Sequence, residues 1–234
     1  MQLQYESEND PGLGGAGPAG GWLRPETLES LVELNELCLS LLAEQAAVRG
    51  ASASALLRQV GESWRLLDPA ARRRAAACPY LLLDAGFADP LRWRPLALPQ
   101  VGDAAQGAYT AFFTVPAATE VARLVFTYAW HLARSQGAAA RLLLGMPAPS
   151  AALIAHYTLR QIQALAESRL EWLKPRWPAH VQAWRDLLLA AAAGDAPALE
   201  RARLRGLTLL AAEARAPASS CRGARPPAEG SGRF

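Results

Sequence analysis

Apolar residues recur every three or four positions over most of this chain, the spacing that gathers them on one face of an α-helix. Leu28, Leu31, Leu34, Cys38, Leu41 and Leu42 make such a face on a helix predicted from Pro25 to about Val48. Proline suits its first position, and Glu26 and Glu29 lie near the positive end of its dipole. A second helix is predicted from about Ser52 to Leu67. Asp68-Pro69 then caps a third, which carries Arg72, Arg73 and Arg74. Three consecutive residues span most of a turn and cannot all aim at one groove, so this run reads as a solvated face. Leu81 to Pro90 is a short apolar run that periodicity leaves open between strand and buried helix, and Ala111 to Val115 is predicted as one short strand.

The richest helical run lies between Glu120 and Leu173. Val121, Leu124, Val125, Tyr128 and Leu132 line one face of a helix ended by Gln136-Gly137, because glycine tolerates the left-handed C′ conformation. A short helix from Ala138 to Leu144 stops at Gly145. Ser150 is placed to cap a third (Ala151 to Ala155) and Thr158 a fourth (Leu159 to Glu167), each hydroxyl accepting a first-turn amide. Helices from Trp177 to Ala193 and from Ala196 to Glu213 follow. The predicted fold class is all-α, a multi-helix bundle with a helix-turn-helix-like C-terminal half.

The run AWHLARSQGAAARLLLGM, followed by LIAHYTLRQIQALAES, resembles FlhD, the flagellar transcriptional activator subunit that works with FlhC. The features in common are an A-x-A-x-x-x-L-G-[MI] turn and the pattern T-L-x-Q-[IM]-x-x-L-A-E, and the resemblance covers roughly residues 120–214. It implies a dimeric regulator acting on DNA with an FlhC-like partner. The N-terminal half lies outside it. Five regions follow: a disordered segment over 1–21, an N-terminal helical region over 22–95, a connecting loop and domain boundary over 96–118, the FlhD-like region over 119–215, and a disordered tail over 216–234.

On that reading Arg160, Gln161 and Gln163 are the candidate base readers, since arginine suits guanine O6/N7 and glutamine suits adenine N6/N7. Arg169, Lys174 and Arg176 are candidate phosphate contacts, which position a protein without specifying sequence. Arg201 and Arg205, four apart on one face of the last helix, join them. Trp172, Trp177 and Trp184 interleave with Lys174, Arg176 and Arg185, a pattern that serves either to stack bases or, more commonly, to anchor a core under arginine stems.

Charge supports this only mildly. Between Glu120 and Arg215 twelve Arg and Lys face seven Asp and Glu, a net +5 that leaves −2 for the rest of a +3 chain. That asymmetry favours an anionic partner for the C-terminal half. With 51% apolar and 19% charged residues among 234, the chain has core enough to fold without staples. Cys38, Cys78 and Cys221 are too few and scattered for a disulfide framework or a zinc site, and Cys38 reads as core. Gly12, Gly14 and Gly17 satisfy G-x-G-x-x-G, but no strand precedes them and Pro18 follows at once, so the stretch reads as linker. His131, His156 and His180 have no Cys or carboxylate at metal spacing, and no nucleophile elbow, Walker loop or H-E-x-x-H is present. Neither an enzyme nor a cofactor is expected. The acidic MQLQYESEND start lacks the features of a signal peptide, and no apolar run approaches the ~18 residues of a membrane span, so a cytoplasmic protein is expected; the resemblance to FlhD implies a homo-oligomer. The alternative function is a helical protein–protein adaptor without DNA binding.

Overall fold

The computed structural model describes residues 23–94 and 111–215. The glycine-rich fingerprint, the 1–21 segment, most of the 96–118 loop, Cys221 and the 216–234 tail lie outside the described residues. Within them the protein is all-α: α1 (Pro25–Arg49), α2 (Ala55–Leu66), α3 (Pro69–Ala76), α4 (Ala117–Ser135), α5 (Gly137–Leu144), α6 (Ala148–His156), α7 (Leu159–Ser168), α8 (Val181–Ala193) and α9 (Ala196–Arg215). The only paired strands among the described residues are β1 (Leu83–Asp84) and β2 (Lys174–Pro175), antiparallel with Leu83 opposite Pro175. None of the helices is long and apolar enough alone to cross a membrane.

Local chemistry explains the helix limits. Asp68 accepts from Ala71 N at 2.7 Å to start α3, and Ser54 accepts from Leu57 N at 3.3 Å to start α2. Gly145 takes φ +61 after α5, where a side chain would collide with Leu210. Four expectations are corrected. Ser150 does not cap α6: the helix begins three residues earlier, at Ala148 after Pro147, and the Ser150 hydroxyl is buried without a partner among the described residues. The helix expected from Trp177 starts only at Val181, because Trp177 sits at φ +48 before Pro178. Leu28 is 38% exposed and not part of the α1 core face. Ala111 to Val115 is not a strand; Gln45 of α1 accepts from Thr114 N at 2.7 Å and takes the place of a ladder partner.

The proposed domain boundary is also corrected. One apolar core runs through both halves, with α8 packed on α2 and α3, and α4 on α1. The Leu81–Pro90 run resolves as neither long strand nor helix. It threads the core as irregular chain: Leu81 N donates to Leu143 O at 2.9 Å, and Leu82 O accepts from Arg176 N at 2.9 Å. Buried irregular backbone must find such partners, and Asn35 of α1 supplies three more. Fully buried, it donates from Nδ2 to the carbonyls of Ala76 and Tyr80 (both 3.0 Å) and accepts from Leu82 N at 2.8 Å. Phe87 stacks on Trp93, which meets Phe126 of α4 and Trp172, so the aromatic centre also joins the halves.

Candidate nucleic-acid interface

The sequence places the base readers on α7, and the structure defines what holds that helix. Thr158 and Gln161 form a capping box: Gln161 N donates to Thr158 Oγ1 at 3.3 Å, and Thr158 N donates to Gln161 Oε1 at 2.8 Å. Ile162 and Ala166 are buried, and α7 packs on α4 through this face. Arg123 of α4 pairs with Glu167 at 3.0 Å. The opposite face is solvent-exposed and carries Arg160 and Gln163, neither of which has a side-chain bond or ion pair among the described residues. Gln161 is exposed as well, but its carbonyl oxygen belongs to the cap. α6 and α7 are separated by Tyr157 and Thr158, and α4 supports both.

The candidate phosphate contacts fare differently from one another. Arg169 Nη1 lies 3.7 Å from Glu171, and its guanidinium borders Trp172 at 5.9 Å. Lys174 Nζ lies 3.5 Å from Asp84. Arg205 is paired with Asp186, while Arg201 is exposed; both line a groove of about 390 Å³ between α8 and α9 with Asp186 and Asp195. Arg176 is no phosphate contact in this fold, which corrects the sequence reading. It is 2% exposed, donates from Nε to Leu81 O at 2.7 Å and from Nη2 to Leu144 O at 2.5 Å, and pairs with Glu213 at 2.9 Å. Burial pushes the Glu213 carboxyl above its usual range, and the facing Arg176 partly offsets this.

Arg72, Arg74 and the tryptophans Trp172, Trp177 and Trp184 serve packing. Arg74 clasps Ala191 O through Nε and Nη2, and Arg72 lies over the Trp64 ring at 5.2 Å, so only Arg73 of that run is left wholly to solvent. That corrects the reading of the run as a solvated face. Trp177 and Trp184 are buried and Trp172 is half-buried, an anchoring arrangement and not a stacking platform. Among the described residues no three His, Cys, Asp or Glu side chains gather to hold a metal ion. Sequence reasoning missed Asn35 and Glu213, whose partners lie 41 or more and 37 residues away. An uncharged Asn amid an apolar stripe was the available signal for the first. No protein-family profile, curated protein or solved structure matches this chain.

Proposed function

We propose that this protein is a non-catalytic, FlhD-like regulatory subunit that meets DNA through the outer face of α7, alongside a second protein that supplies most of the phosphate contacts. The observation that carries this is the free, outward-facing pair Arg160 and Gln163 on the first turns of a helix whose start is fixed by a capping box. A partner enters the reading because the candidate residues hold few cations to spare. Arg169, Lys174, Arg176 and Arg205 each face a carboxylate, which leaves Arg160 and Arg201 without one among the candidates. Affinity for a duplex grows with the number of phosphates neutralised, so a candidate set with two free arginines binds weakly by itself. Self-association would double that number and is part of the proposal.

The same pairing favours a second reading, the helical adaptor. Ion pairs that absorb surface cations, with Leu142, Leu189 and Leu204 more than half exposed, suit contact with protein better than with phosphate. Selection from a random duplex library, with the full chain alone and with an FlhC-like protein encoded beside it, separates the two. On the DNA reading one sequence is enriched, and Arg160→Ala weakens it by about 5- to 150-fold in fluorescence anisotropy while relaxing preference at one base pair. No enrichment in either arm, with a protein ligand recovered instead, replaces that reading with the adaptor.

A further inference from the structure

α9 and α8 are neighbours with unlike anchoring. α8 buries Trp184, Leu187, Leu188, Ala190 and Ala191 in 13 residues, whereas α9 buries only Leu199, Gly206 and Leu210 in 20. Elements with few buried apolar contacts open first. α9 begins just beyond Gly194, which takes φ +66 with open space where a side chain would lie, so the joint has room to turn. At the far end Glu213 binds Arg176 Nη1 at 2.9 Å, and the same guanidinium holds Leu81 O and Leu144 O. Between these ends α9 lies across Tyr80, whose hydroxyl touches Gly206, and across Gly145, which Leu210 covers. Tyr80, Trp177, Trp184 and Leu187 form the wall under its middle.

We infer that α9 is a releasable strap, hinged at Gly194–Asp195 and clipped at its far end by Glu213 on Arg176, whose release uncovers the Tyr80, Trp177 and Trp184 wall. The clip is one carboxylate against a guanidinium that the core already positions. Arg203 Nη2, which donates to Arg74 O at 3.3 Å, and Arg205, which pairs with Asp186, hold the middle of α9, so loss of Glu213 frees its C-terminal end without removing the Arg176 bonds to the loop carbonyls. The device is independent of α7 and of whether DNA is bound.

Hydrogen exchange on the full chain, read by mass spectrometry at neutral pH, tests it. In the wild type, amides of residues 206–215 exchange together and ahead of those of α8. In Glu213→Gln they exchange about tenfold faster, with α1 and α4 unchanged. The inference is overturned if α9 and α8 exchange as one unit in the wild type. It is equally overturned if the variant leaves 206–215 unaltered or accelerates every helix alike.

Discussion

Replacing Asn35 with leucine tests whether a single polar side chain holds the irregular chain between α3 and β1. The two side chains share their branching and number of heavy atoms, so leucine keeps the shape at this site while three hydrogen bonds disappear. The Ala76 carbonyl still accepts from Cys78 N at 2.7 Å. Leu82 N–H and the Tyr80 carbonyl are left buried without a partner among the described residues. Each such orphan costs about 1–3 kcal/mol, and the added apolar burial returns about 1–2 kcal/mol. At the middle of these ranges the net loss is about 2.5 kcal/mol, a sizeable part of the roughly 5–15 kcal/mol stability of domains in general. Asn35→Asp keeps an acceptor for Leu82 N–H but sets a carboxylate against two carbonyls, and it is expected to lose more. Urea unfolding followed by circular dichroism and tryptophan fluorescence gives both values from the midpoint shift. If Asn35→Leu stays within about 0.5 kcal/mol of wild type, burial of Leu81 to Leu83 alone holds the segment and the hydrogen-bond argument fails.

Two further outcomes follow from the same core. Gly206→Ala gains about 1 kcal/mol of helix propensity but sets its Cβ 1.8 Å from the Tyr80 hydroxyl, so a lower melting temperature is expected; a higher one would mean that α9 shifts freely over Tyr80. Alkaline pH should weaken the fold. Burial raises the Cys78 thiol to about 12 and Cys38 higher still, the latter helped by the neighbouring Cys78. Unfolded thiols ionise near about 8.5, so the native state holds more protons above that pH. Stability is then complete below about 8.5 and falls as pH rises toward the native values, by up to about 1.4 kcal/mol per pH unit for each thiol. Tyr80 and Tyr128, also raised by burial, act in the same direction above about pH 10. Urea midpoints at pH 7.5, 9 and 10 check this, and a flat profile that Cys38→Ala and Cys78→Ala leave unchanged contradicts it.

Helices were legible in the sequence wherever the signal was local. Period 3.6, proline at the start of α1, Asp68 before α3, Thr158 before α7 and Gly145 at the end of α5 all act within a few residues, and the observed limits of α1, α4, α5 and α7 lie close to those read from pattern. The exposed face of α7 was legible for the same reason, since burying Ile162 and Ala166 turns Arg160 and Gln163 outward. What the chain does between Cys78 and Asp84 was not, because its order comes from Asn35, Leu143 and Arg176, which are distant in sequence. Nor was the fate of a cation. Arg160 and Arg176 are the same side chain, yet one faces water and the other closes the core. The difference lies in two carbonyls and one carboxylate that folding brings to Arg176 from Leu81, Leu144 and Glu213, enough polar partners to offset taking a charge out of water.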